Sequence, residues 1–130
     1  MSGFRFGTRS LQCLDGIHPD LVKVAHRALE ISKVDFGIHC GMRTRLQQER
    51  LVAMGKSKTM NSRHLTGHAI DVHPWIEGDI PWNDQHPWRS VASAFKKAAK
   101  ELGVDLEWGG DWARFIDMPH MQLSRSSYPA

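Results

Sequence analysis

Three histidines and an aspartate fall within twelve residues, Ser62-Arg63-His64-Leu65-Thr66-Gly67-His68-Ala69-Ile70-Asp71-Val72-His73. Imidazole nitrogens and carboxylate oxygens are donors that suit a zinc ion. His64 and His68 have the separation of the helical His-Glu-x-x-His motif, but Leu65 stands where the glutamate belongs and Gly67 weakens a helix. A loop running into a strand serves better. His64 then reaches in from the loop end, Gly67 lets the backbone turn, and Asp71 projects from one face of the strand.

A catalytic zinc needs a third protein ligand and one position open to water. Asp117-Met118-Pro119-His120 offers a further histidine with a carboxylate three residues before it. Two imidazoles, one ligating carboxylate and one spare carboxylate are the parts of a zinc hydrolase. The metal acidifies its water, and the spare carboxylate carries the proton to the leaving amine. Spacing alone leaves the set open, because His73 lies on the same strand face as Asp71 and competes as a ligand. The plain alternative is a group of surface histidines that bind nothing.

Those residues need elements to hold them. His18-Pro19-Asp20 opens a helical pattern whose apolar stripe is Leu21, Val24, Ala25, Ala28 and Leu29. Asp35–Cys40 reads as a strand, Thr44–Met54 as a helix closed by Gly55, and 56–66 as a polar loop. His68–His73 alternates as a strand does, and 74–87, with three prolines and two tryptophans, reads as an irregular connection. Trp88, Val91, Ala92, Phe95, Ala98, Ala99 and Leu102 mark the strongest helix, capped by Gly103. Val104–Trp108 and His120–Leu123 are expected strands on either side of the turn Trp108-Gly109-Gly110-Asp111-Trp112. Strands so few and so close do not form a βαβ series, and the class is α+β.

At 130 residues, 41% hydrophobic and 24% charged, the chain suits one domain over 1–130 that buries about two-thirds of its unfolded surface. No apolar run nears the roughly 18 residues of a membrane span, so no stable membrane insertion is expected. Met1–Ser10 has no apolar core of a secretory signal. The net charge of +3 favours anionic surfaces, but the basic residues are spread along the chain, which argues against nucleic acid as a partner. Cys13 and Cys40 form no CxxC pair and are expected as two buried free thiols without catalytic companions.

Taken together, Ser62-x-His64-x-x-Gly67-x-Ala69-x-Asp71, with Gly41-x-Arg43-Thr44 before it and Asp117-x-x-His120 after it, resembles the zinc peptidases of the D-alanyl-D-alanine carboxypeptidase group. Within that group the chain is most similar to the small phage L-alanyl-D-glutamate endopeptidases that serve as endolysins. The likeness also takes in Phe4-x-Phe6-Gly7, Gln48-x-x-Leu51, Gly55-x-Ser57-x-Thr59, Trp82-Asn83-Asp84 and Gly109-Gly110-Asp111-Trp112. It implies a small antiparallel sheet packed with about three helices, as in hedgehog and DD-peptidase domains.

The resemblance also implies roles. His64, Asp71 and His120 become ligands of one catalytic zinc ion, Asp117 the general base and acid, and Arg43 the cation that polarises the scissile carbonyl. Ser57, Thr59, Trp112 and His73 are expected to meet the substrate, Trp112 as part of an aromatic cleft wall. Trp108 is assigned to the core, and Trp75, Trp82 and Trp88 to packing the long connection on the sheet. His18, His26, His39 and His86 show no partner pattern.

The function so implied is hydrolysis of an amide in the peptidoglycan stem peptide, by a monomer made in the host cytoplasm that reaches the cell wall through a holin. Its rivals are a D-alanyl-D-alanine carboxypeptidase or dipeptidase of the same fold, and a non-catalytic wall-binding module that keeps zinc for structure.

Overall fold

The computed structural model describes residues 3–114 and 116–129. Helix α1 (Thr8–Leu14) is followed by α2 (Pro19–Ile31), strand β1 (Asp35–Cys40) and α3 (Arg45–Ala53). Strand β2 (Ala69–Trp75), helix α4 (Gln85–Leu102) and strands β3 (Leu106–Trp108) and β4 (His120–Leu123) complete the order. The strands form one antiparallel sheet in the order β1-β2-β4-β3. The α+β class and the small antiparallel sheet are as expected.

The core follows from two periodicities. The predicted stripe of α2 is buried throughout, as are Val91, Ala92, Phe95, Ala98 and Ala99 of α4. Alanines on both helices let α2 and α4 approach closely, and α4 in turn lies on the sheet. Phe36, Ile38, Ile70, Val72, Met121 and Leu123 alternate along β1, β2 and β4 and join that core. Each large apolar side chain so buried contributes about 1.5–3 kcal/mol. The intervening residues Asp71, His120 and Gln122 therefore point to the opposite face of the sheet, away from α2 and α4.

Several boundaries move. Helix α1 is an addition: its seven residues bury only Ser10 and Leu14 and lack a side-chain cap, so no periodic stripe announces it. Strand β2 runs on through Pro74, because β4 pairs with it only over Ala69–Asp71 and no ladder bond is lost. Helix α4 starts at Gln85, ahead of Trp88, with Asp84 accepting a hydrogen bond from the His86 backbone N–H as its N-cap. Pro87 is tolerated there because the first turn needs no N–H of its own. Of the three tryptophans assigned to the connection, Trp88 is buried and its Nε1 donates to the Pro81 carbonyl. Trp82 instead leaves 64% of its surface exposed, resting against Trp88 and His73, and Trp75 is also exposed.

No described helix is long and apolar enough to cross a membrane. Cys13 and Cys40 are free thiols, but both are half-buried rather than buried.

Candidate metal centre and cleft

Asp71 and His120 face each other as cross-strand partners of β2 and β4, so the register alone brings a carboxylate and an imidazole together. His64 arrives from a 3₁₀ turn (Arg63–Leu65) whose N-cap is Ser62, the Ser62 hydroxyl accepting from the His64 N–H at 3.2 Å. The Arg43 N–H donates to the His64 carbonyl at 3.0 Å, fixing the start of α3 against that turn. Thr44 and Gln47 then close a capping box on α3.

His64 Nε2 lies 3.3 Å and His120 Nδ1 lies 3.4 Å from the same oxygen, Asp71 Oδ1. In a tetrahedron with zinc–ligand bonds of roughly 2.0–2.1 Å, neighbouring donor atoms stand roughly 3.3–3.4 Å apart. His64 Nε2 and Asp71 Oδ1 are buried with no hydrogen-bond partner. His64 Nε2 and Asp71 Oδ1 thus have the spacing of two ligands on one ion, and Asp71 is shared by two candidate ligand groups, one with Cys40 and His64 and one with Asp117 and His120. The far side of each imidazole is already committed. His64 Nδ1 contacts the Gly41 carbonyl at 2.8 Å, and His120 Nε2 contacts Gln122 Oε1 at 2.8 Å. These contacts fix the ring tautomers so that the free nitrogens face Asp71.

Two glycines make this geometry possible. A Cβ on Gly41 would run into the Cys13 carbonyl of α1, and one on Gly109 into the Asp117 carbonyl. The second close approach seats Asp117, whose N–H donates to the Gly109 carbonyl. Asp117 Oδ2 then stands 4.0 Å from His120 Nδ1, with its side chain about half exposed.

The electrostatics follow the geometry. Burial pushes the Asp71 carboxyl up, but the imidazoles of His120 and His64 beside it outweigh burial and hold it far below the usual range. Burial disfavours a charged His64, yet the neighbouring Asp71 carboxylate wins and raises it to about 9. A divalent ion held by this pair would compete with the proton that the two side chains favour. Asp117 is raised, first by burial and then by the nearby Asp71 charge.

Arg43 Nη2 donates to Asp71 Oδ2 at 3.2 Å and Nη1 to Gln48 Oε1 at 3.1 Å. Gln48 is fully buried, and its Nε2 reaches the Ser57 hydroxyl and the Thr59 carbonyl at 2.8 and 2.7 Å. Spacing gave no role to Gln48 or Gln122. The Gln48-x-x-Leu51 pattern was the available signal for the first, and an i+2 position beside His120 for the second. Cys40, expected to have no companions, lies opposite Asp71 across β1 and β2. Its sulfur is within 4.8 Å of donor atoms of His64 and Asp71. Burial raises that thiol, but the His64 hydrogen bond and the nearby cations bring it below its ordinary value.

Arg43 borders two cavities. One of about 940 Å³ runs along α1 and α3 past Cys40, Met42, Leu51 and Met54 to Asp71. The other, about 810 Å³, is lined by Ser57, Thr59, His64, Trp112, Asp117 and His120 among others. Trp112 stands 5.1 Å ring to ring from His120, while Trp108 is buried in the core with its Nε1 donating to the Met118 carbonyl. His73 borders neither cavity. It is 7% exposed and stacks on His39 at 4.2 Å, against the edges of Trp82 and Trp88. Of the other histidines without a predicted partner, His18 caps α2 by accepting from the Asp20 N–H.

Comparison with known proteins places the chain in a family. The family model of phage L-alanyl-D-glutamate peptidase matches residues 1–125. The chain is 43% identical over 128 residues to the L-alanyl-D-glutamate peptidase of Escherichia phage T5, covering 96% of this chain and 93% of that one. The crystal structure of Serratia marcescens L-Ala D-Glu endopeptidase ChiX superposes with a TM-score of 0.91 at 43% identity, over 98% of this chain and 95% of that one. The vancomycin-resistance D,D-dipeptidase VanXYg, at 15% identity and a TM-score of 0.53 over 82% of this chain and 50% of that one, shares the fold. The chain belongs to the phage L-alanyl-D-glutamate peptidase family.

Proposed function

We propose that this protein is a zinc peptidase that hydrolyses the L-alanyl-D-glutamate amide of the peptidoglycan stem peptide, with 1–130 acting as one monomeric peptidase domain. The observation that carries the reading is the convergence of His64 Nε2 and His120 Nδ1 on Asp71 Oδ1, two of the three atoms buried and unpartnered. These three side chains would hold the ion. When bound, zinc supplies an acidified water and a Lewis acid for the scissile carbonyl.

The chain's own residues do the rest. Asp117, raised above an ordinary carboxylate and half exposed at the cleft, takes the proton of the attacking water and delivers it to the leaving amine. Arg43 keeps donors of its guanidinium fork beyond those used by Asp71 and Gln48, and directs them at the developing oxyanion. Gly41 and Gln122 orient the two imidazoles. Trp112, Ser57 and Thr59 line the cavity that takes the peptide. Made in the host cytoplasm and admitted to the wall by a holin, the enzyme acts as an endolysin.

Purified muropeptides incubated with the zinc-loaded protein should give products whose masses correspond to cleavage after L-alanine. Loss of terminal D-alanine instead would point to a carboxypeptidase. Asp117→Ala should keep one zinc per chain and lose lysis of chloroform-permeabilised cells; retained lysis would remove Asp117 from the mechanism.

A further inference from the structure

The two cavities that meet at Arg43 differ in charge. The one along α1 and α3 mixes Arg9 and Arg50 with Asp15, and its lining is apolar at Met42, Leu51 and Met54. The other gathers Lys56, Lys58, Arg114 and Arg125 around a single carboxylate, Asp117. Among the described residues no carboxylate pairs with Lys56, Arg114 or Arg125. Arg125 spends one donor on the Asn61 carbonyl, and Lys56 and Arg114 are exposed. Buried Arg63 is already committed to the carbonyls of Leu123 and Tyr128.

The same cavity holds the group that hands a proton to the leaving amine. Asp117 lines the basic cavity and not the other, so the amine side of the cut amide must enter there. In an L-alanyl-D-glutamate bond that amine belongs to glutamate. Glutamate has two carboxyl groups, of which chain continuation uses at most one, leaving a carboxylate close to the scissile nitrogen. Cations without partners in a concave site attract such a charge more strongly than they do on an open surface.

Resting on the function proposed above, we propose that the basic half of the cleft is the specificity site for the carboxylate of the leaving residue, with Lys56 and Arg114 as its principal cations. The methionine-lined half then takes the uncharged alanyl side.

The test uses two peptides, N-acetyl-L-alanyl-D-glutamate extended through the glutamate side chain, with the α-carboxyl free or converted to a carboxamide. The zinc-loaded wild type should prefer the acid by about tenfold in kcat/KM. In Lys56→Met/Arg114→Met the preference should fall toward parity, mostly through KM, and added salt should shrink the wild-type preference because exposed charges are screened. A wild type that treats both peptides alike, or a variant that keeps the full preference, overturns the assignment. If the wild type cuts neither peptide, the function proposed above fails. The inference is then judged by calorimetric binding of the two peptides, where equal affinity for acid and amide overturns it.

Discussion

Arg43 and Asp71 are joined through Nη2 and Oδ2 at 3.2 Å, and the oxygen Arg43 holds is not the one that both imidazoles face. One carboxylate therefore has a separate task for each oxygen. Arg43 fixes its rotation and so aims Oδ1 at His64 and His120. Arg43→Lys keeps the charge but loses the planar fork. Turnover should fall by about a hundredfold, and zinc affinity by about tenfold because a ligand has lost its outer partner. Steady-state kinetics and a competitive zinc titration measure the two effects separately. Unchanged zinc affinity would show that Asp71 needs no help from Arg43.

Gln48 ties this pair to the loop that lines the basic cavity. It accepts from Arg43 and donates to the Ser57 hydroxyl and the Thr59 carbonyl from a fully buried position. Gln48→Leu preserves volume roughly but leaves those polar groups without partners. It should cost about 2 kcal/mol in chemical denaturation. Turnover should also fall, since Arg43 and the 57–59 loop lose their common anchor. A variant as stable and as active as the wild type would make Gln48 a bystander.

The metal centre makes a prediction that does not depend on turnover. His64 Nε2 and Asp71 Oδ1 are buried without partners, so a bound zinc ion should stabilise the native chain directly. Zinc at about a hundred times its dissociation constant adds about 2.7 kcal/mol, or roughly 10 °C in Tm for a chain of this size. Chelation should reverse the gain, and Asp71→Ala should show neither response in a thermal scan. Equal midpoints with and without zinc would argue against the site.

Local patterns made the scaffold legible, and contacts between distant segments made much of the site illegible. The α2 stripe and the alternation of Ile70, Asp71 and Val72 are written in consecutive residues, so their burial could be read directly. Asp71 and His120 could be suspected from residue type, but only the β2–β4 register makes them partners. Gln48 looked like one more polar residue on a polar helix, because its role depends on a loop about ten residues later folding back over it. Cys40 stands apart from the site in sequence for a similar reason: its neighbour across the sheet is Asp71, 31 positions away. The basic residues are dispersed in sequence, and the fold collects those at 56, 58, 114 and 125 into one cavity. The exposure of Trp82 is not legible in the sequence, because an aromatic ring suits a core, whereas in the fold this one rests on His73 and Trp88 with 64% of its surface in water.

His73 gives the last prediction, through acid stability. It is buried against His39, Trp82 and Trp88. Burial, and then the positive charge His39 can carry, lower its pKa from the ordinary 6.5 to about 4. The unfolded chain therefore takes up a proton at this histidine before the folded chain does. Stability from keeping His73 neutral is complete above pH 6.5 and declines as the pH falls from 6.5 to 4. The loss should amount to about 2–3 kcal/mol. His73→Phe cannot titrate and keeps an aromatic ring beside the tryptophans, so its stability should be flatter over that interval. The metal-free His64–Asp71 pair acts in a different window. With His64 raised from 6.5 to about 9, its contribution is complete below 6.5 and is lost as the pH rises through 9. Urea denaturation of both proteins between pH 4 and 7 reads the difference. Parallel curves for wild type and His73→Phe would show that His73 is not the group that makes the fold acid-sensitive.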